Sequence, residues 1–362
     1  MKKSFNQVFA DQTRLATKIP QSDYLLEGAY PIIDQGQNQI AGYRNNSTGL
    51  FHEVPALIFG DHTRIVKYID KPFFIGADGV KLLKPIDQDT DCKYLFYALN
   101  SLQIPDTGYN RHFKWLKQSS FFIPMLSEQK RIAGILDKVQ SLIALQKQQL
   151  EKLDLLIKSK FIDMFGDPIT NPKNWPIRRM GDVFKITSGG TPSTQEDSYW
   201  SGGTISWIGS NLCQNVILNK NDGQFITENG LNNSSAKILP VGTVLIALVG
   251  ATIGKTALLN FSTTTNQNVA AVWVSKNKSY DSLFMFYFIQ GLYDLFMRIG
   301  SGKFKMANLQ FINNLPIFNV SVSLQTQFAN FVKSVEQQKE VFTTRLSHLE
   351  TLYKSLMQEY FG

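Results

Sequence analysis

Sliding this 362-residue chain along itself by 196 positions lays residues 127–166 on residues 323–362 without a gap. That repeat restricts the fold more than any other feature. Identities are Ser127/Ser323, Gln129/Gln325, Ala133/Ala329, Val139/Val335, Leu153/Leu349, Leu156/Leu352, Lys158/Lys354, Ser159/Ser355, Phe165/Phe361 and Gly166/Gly362. The apolar pattern repeats as well. Ile132, Val139, Leu153 and Leu156 in one copy answer Phe328, Val335, Leu349 and Leu352 in the other, on a helical stripe sustained for about five heptads. Neither run holds a proline, and Gly134 is the one interior glycine. Ser127 and Ser323 suit an N-cap, and each run closes on Phe-Gly, where glycine takes the left-handed cap. Each helix should be roughly 55 Å long, too long for a small globule to wrap. Its stripe needs another helix, and the obvious partner is its own repeat. Two amphipathic helices, each packed on its own globule, remain the alternative.

The segments ahead of the helices match more loosely. Both enter through an apolar-proline step, Phe122-Ile123-Pro124 and Asn314-Leu315-Pro316. Aromatic runs expected to be helical, Tyr94–Tyr97 and Leu283–Tyr287, lie upstream. Apolar runs at Ala56–Phe59 and Val244–Val249 each lead into a glycine-containing turn, and Val8-Phe9 corresponds to Val183-Phe184. The organisation is therefore globule 1–126, helix 127–166, globule 167–322, helix 323–362. Short strands broken by glycine and asparagine turns, with a few helices, make the globules α+β.

Composition narrows the function. The 43% hydrophobic residues and 12% aromatics exclude low-complexity disorder. Cys92 and Cys213 form no CxxC pair and there are four histidines, so a zinc site is not expected; the thiols suit a reducing compartment. The start of the chain has no signal-peptide pattern, and its most apolar windows fall short of the roughly 20 residues of a membrane span, so a soluble cytoplasmic protein is expected. The net charge of +8 makes a polyanion a candidate partner. By segment it is +2, +2, +4 and 0 in chain order, so the last helix looks like scaffolding.

Enzyme signatures fail one by one. Gly250-Ala251-Thr252-Ile253-Gly254-Lys255-Thr256 follows a strand as a phosphate loop would, but has three residues between its glycines instead of four and leads into another apparent strand. Pro105-Asp106 followed by Glu128-Gln129-Lys130 has the order of a metal-dependent nuclease, yet the Glu-x-Lys sits in a helix's first turn, where Glu128 favours the dipole. No Pro-Pro catalytic turn or third glycine supports a methyltransferase. A binding protein without catalysis, cofactor or metal of its own is expected.

The basic loops compose better. Asn110, Arg111, His112 and Lys114 interleave with Tyr109, Phe113 and Trp115, and Lys303 and Lys305 flank Phe304. Cations beside planar groups and amides are the usual make-up of a DNA-reading loop. Gln37, Asn38, His62, Arg64, Thr191, Ser210, Asn211, Lys255, Asn266 and Gln267 complete the candidate DNA-binding set. Each type is equally at home in an ordinary turn, and composition alone leaves a protein-interaction scaffold open.

The chain resembles the specificity subunit of Type I restriction–modification systems over essentially its whole length. The resemblance is carried by Tyr30-Pro31-Ile32-Ile33-Asp34-Gln35-Gly36-Gln37, by Phe59-Gly60-Asp61-His62-Thr63-Arg64 and by Ser127-Glu128-Gln129-Lys130-Arg131-Ile132-Ala133. Further on it is carried by Asn174-Trp175-Pro176 through Met180-Gly181-Asp182, by Ile186-Thr187-Ser188-Gly189-Gly190-Thr191-Pro192, and by Gly250 to Thr256. It implies two target recognition domains, each followed by a long helix, the helices pairing as an antiparallel coiled coil. It implies no catalysis in this chain, a bipartite asymmetric site on double-stranded DNA, and two modification subunits that methylate adenine with S-adenosylmethionine. Up to two restriction subunits using ATP and Mg could join them. Two unlike readers on a stiff rod would reach successive grooves about 34 Å apart.

Overall fold

The computed structural model describes residues 1–76, 78–221, 223–274, 280–299 and 306–362. The repeat forms two helices of 40 residues each, Leu126–Phe165 and Val322–Phe361. Both begin one residue ahead of the serines expected to cap them. Ser127 and Ser323 lie inside the first turn, and in the second helix the hydroxyl of Ser321 accepts from the Leu324 amide at 3.3 Å. After Phe165 the chain turns through Gly166 at φ +81°, and the Gly166 amide bonds Ile162 O, so this glycine is the expected left-handed cap.

Two units form. The first comprises Met1–Gln148 with Thr343–Gly362, the second Gln149–Phe342. Each long helix therefore gives one part to each unit. In the first unit the Gln140 amide donates to the Tyr353 hydroxyl (3.0 Å) and Lys147 pairs with Glu350 (3.0 Å). In the second, Lys339 pairs with Asp154 at 2.7 Å, and Phe328 packs its ring on Phe161 and Phe165 at 5.4 and 5.6 Å. One helix advances as the other retreats, so the pairing is antiparallel. Ile132, Val139, Phe328 and Val335 are buried, Ile132 in the core of the first globule, and Leu153 and Leu349 are half-buried. Leu156 and Leu352, expected in the seam, are instead 46% exposed. They are one residue off the buried line, which runs through Ile157 in the first helix; Tyr353, Leu356 and Tyr360 cover the first unit's core.

The two globules share a plan. In the first, Phe9–Asp11, Val80–Pro85, Ala56–Gly60 and Val66–Ile69 form an antiparallel sheet in that order. Lys18–Ile19, Phe74–Gly76, Tyr30–Ile33 and Gly42–Arg44 form a second, mixed one. In the second globule, Phe184–Ser188, Val269–Val274, Val244–Ala247, Thr256–Leu259 and Val216–Leu218 form the larger sheet; Phe225–Ile226, Ile205–Ile208 and Thr264–Thr265 form the smaller. Lys2–Ser4 pairs with Ser120–Phe122, and Ile177–Arg179 pairs with Pro316–Phe318. Each short ladder thus clasps the start of a globule to the strand that feeds its long helix. The aromatic runs are helical, Cys92–Asn100 and Ser282–Gly291. Gly250–Thr256 is the turn of an antiparallel hairpin, with Ile246 opposite Thr256.

One repeated side chain ties these parts together. Gln129 and Gln325 are buried, and each accepts from the amide of the aspartate capping the globule's helix: Asp91 N to Gln129 and Asp281 N to Gln325, both 2.8 Å. Their Nε2 groups donate back to Pro124 O (2.9 Å) and Val320 O (3.0 Å). Asp91 in turn accepts from Tyr94 N, and Asp281 from Leu283 N and Phe284 N. The glutamine in the first turn of each long helix thereby satisfies backbone groups that burial would otherwise orphan.

Candidate nucleic-acid interface

Strand register decides which loops meet. In the second unit Ser188 pairs with Ala270, Ala247 with Val269, Ile246 with Thr256, and Val216 with Ala257. The strand ends at Ser188 and Ala247 and the strand starts at Thr256, Val269 and Val216 therefore lie at one end of the sheet. Ile208 runs parallel beside Thr265 and ends at the same side. The loops leaving these ends carry the polar residues singled out in the sequence.

They form a rim held by hydrogen bonds. Thr191 Oγ1 donates to Gln267 Oε1 at 2.5 Å. Asn266 Oδ1 accepts from Asn268 N and its own amide bonds Ile208 O, which fixes the turn. Lys255 Nζ donates to Gln214 Oε1 (2.9 Å), and Gln214 Nε2 to Asn211 O (3.1 Å). Ser210 and Asn211 open a short 3₁₀ turn after Gly209. A Cβ on Gly189 would sit 2.0 Å from the backbone carbonyl Thr265 O, so this close approach needs glycine. Gln267 and Asn211 are exposed; Thr191, Ser210, Lys255 and Asn266 are half-exposed. Gln214 was missed in the sequence and Lys255 proves its partner. Lys303 and Lys305 fall outside the described residues.

The first unit places its candidates at the corresponding end. Gly60 pairs with Val80, Phe59 with Val66 and Ile33 with Ile75, so the turns Asp34–Gln37 and Asp61–Ile65 adjoin. Gln35 joins them. Its Oε1 accepts from His62 N (3.1 Å), its Nε2 donates to Asp78 O (3.1 Å), and its carbonyl accepts from Thr63 Oγ1 (2.7 Å). Lys67 reaches up from beneath to Asn38 O and to Asp34 at 3.5 Å; burial pulls its ammonium below the usual lysine value despite Asp34. Gln37, Asn38, Asn110, Arg111 and Lys114 are exposed, and Lys114 lies over the Trp115 ring at 4.8 Å.

Two candidates have structural roles instead. His112 is fully buried. Its Nδ1 bonds Asp61 O at 3.0 Å, its amide donates to the same carbonyl, and Asp61 Oδ1 accepts from Phe113 N. This histidine pins the basic loop to the hairpin turn and has no surface to offer a groove. Arg64, at φ +63°, spends its guanidinium on Ile104 O (3.3 Å) and Asp106 (2.7 Å). The Gly108 amide, with Arg64, holds the Asp106 carboxyl below the usual carboxylate value. The residues that resembled a nuclease are likewise apart in their bonding: Asp106 serves Arg64, and Glu128 forks with Arg131 at 2.7–2.8 Å.

The family model for the Type I restriction modification DNA specificity domain matches residues 9–155 and 172–351. The specificity subunit of the Escherichia coli Type I restriction enzyme EcoR124I/EcoR124II is 26% identical over 273 residues, 70% of this chain and 66% of the relative. The chain thus spans just under two thirds of that relative's length. The putative MjaX specificity subunit of Methanocaldococcus jannaschii is 22% identical over 81% of this chain and 73% of its own. Among solved structures, the Type I S subunit from M. genitalium aligns with TM-score 0.65 at 18% identity, covering 100% of this chain and 96% of that one. A chain from a Type I R-M assembly aligns at 0.56 and 14%, covering 98% and 97%. Matched in both halves, the chain belongs to the family of Type I restriction–modification specificity subunits.

Proposed function

We propose that this chain is the non-catalytic, DNA-reading subunit of a Type I restriction–modification enzyme. Residues 1–126 and 167–322 are the two readers of a bipartite asymmetric site on double-stranded DNA, and residues 127–166 and 323–362 are the spacer between them. The observation that carries this reading is the rim. Loops remote in sequence converge, at the same end of equivalent hairpins in both globules, on side chains able to contact base edges. Asn211, Asn266 and Gln267 offer amides for adenine-type contacts, while Arg111, Lys114 and Lys255 suit phosphates or guanine. The two rims share a position and not their residues, so the half-sites differ.

Catalysis on this reading belongs to partners. Two modification subunits carry S-adenosylmethionine and methylate adenine; restriction subunits, where the system has them, supply the ATP- and Mg-dependent step. The paired helices leave apolar side chains uncovered for such partners: Leu142 and Leu145 in the first unit's part, and Leu155, Leu156 and Ile162 in the second's, each roughly half exposed. Among the described residues no helix is long and apolar enough to cross a membrane.

The test is to co-express the chain with its modification subunit and map methylated adenines, then to measure binding to the mapped site against salt. A two-part motif and a steep fall of affinity with salt are expected. No shift of any DNA, or a flat salt response, would favour the protein-interaction scaffold instead.

A further inference from the structure

Tyr109 is 89% exposed, yet its ring is not loose. It stacks on the His62 imidazole with centroids 4.6 Å apart and planes 7° from parallel. His62 is itself held through Nδ1 to the Asn110 carbonyl at 3.2 Å, and its backbone amide is held by Gln35. The loop is braced on both sides: Asp106 takes the Arg64 guanidinium and the Gly108 amide, and Asn110 Nδ2 donates to Thr107 O. Gly108, at φ +74° with open space where a Cβ would stand, makes the bend that turns Tyr109 outward. Below the loop, His112 and Asp61 lock it to the hairpin turn.

An exposed tyrosine at the tip of a solvated loop does not need this framework. One ring face is covered by imidazole and the other is open, fixed in orientation and flanked by Arg111 and Asn110. Such a face accepts another planar ring, because offset stacking is favourable beyond the area it buries. On the rim of a DNA-reading domain the available planar ring is a nucleobase. We propose that Tyr109, backed by His62, is a stacking platform that inserts beside one base step of the half-site read by residues 1–126 and takes up the unstacked base. The ring supplies sequence-tolerant stacking and favours the easily unstacked pyrimidine–purine steps, so it contributes to specificity through deformability without reading hydrogen bonds.

This rests on the DNA-reading role proposed above, and the test separates the two. The full chain with its modification subunits is titrated onto its mapped target, carrying 2-aminopurine at successive positions of that half-site. The wild type should brighten 2-aminopurine at one step. Tyr109→Ala should lose the signal and about tenfold in affinity, with the salt slope unchanged, and Tyr109→Phe should retain both. Tyr109→Ala with wild-type affinity and signal overturns the platform while DNA reading stands. Tyr109→Phe as damaging as Tyr109→Ala overturns it in favour of a hydroxyl contact. A wild-type complex that shifts no DNA sinks the underlying reading as well.

Discussion

The two units hold the same helix junction with different chemistry. In the second it is an aromatic cluster: Phe161, Phe165, Phe284, Phe288 and Phe328 meet ring to ring, and a half-exposed ion-pair trio, Lys339 with Asp154 and Glu336, closes its side. In the first it is partly polar. The Tyr97 hydroxyl donates to Asp137 at 2.5 Å and lies 3.1 Å from Gln140, which passes its own amide to Tyr353. Phe361 packs on Tyr94 as Phe165 packs on Phe284. Constant across both is the backbone anchor, glutamine to capping aspartate. A repeat can therefore let its side-chain filling diverge while the backbone groups at the helix junction keep their partner. What is kept is the device that sets the angle of the long helix on its globule.

The sharpest way to break this comparison is to hollow out the aromatic side. Phe328→Ala should cost about 4 kcal/mol and loosen the second unit first, read by hydrogen exchange of Ser282–Gly291 against Cys92–Asn100. Equal loosening of both would make them one cooperative body. Gln129→Leu and Gln325→Leu should each cost about 2 kcal/mol, because each strands buried amides and carbonyls. A cost confined to one would show that the anchor is not equivalent. Gln267→Ala should weaken binding about tenfold at targets intact in the second half-site and leave discrimination within the first unchanged; relaxed discrimination in both halves would dissolve the two-reader picture. Tyr97→Phe should cost about 1 kcal/mol, visible in the first unit alone.

Alkali probes the same contrast. Burial, then the Asp137 bond, raises the Tyr97 phenol above its ordinary value. Lys339 is also raised: burial opposes its charge, but Asp154 and Glu336 outweigh burial. Folded values above unfolded ones mean that both contributions are complete at neutral pH and fade as pH climbs beyond about 10. Both units should soften there, and Lys339→Met should blunt the alkaline loss only in the second. Thermal melts from pH 7 to 11 decide it.

The long helices were legible because a stripe sustained over five heptads has few other meanings. Their pairing faces were less so. Leu156 and Leu352 match in type and spacing, yet one step of 100° separates them from Ile157 and Tyr353, which are covered. The Gln129/Gln325 identity was visible without its role, since a glutamine's partners depend on a helix some forty residues away. The rims were legible as residue types and illegible as places: only register brings Thr191 to Gln267 and Lys255 to Gln214. His112 misled because a histidine among arginine and lysine reads as surface, and nothing local announces that Asp61 holds it inside.

The division of the long helices has a consequence for how the protein is made. Residues 149–342 suffice for the second unit, whereas the first waits for residues 343–362 to lay Tyr353, Leu356 and Phe361 over its core. Emerging from a ribosome, the portion begun first is completed last. Until then Ile132, Ala133 and Leu136 lack that cover, so nascent chains stalled before residue 343 are where chaperone capture should concentrate.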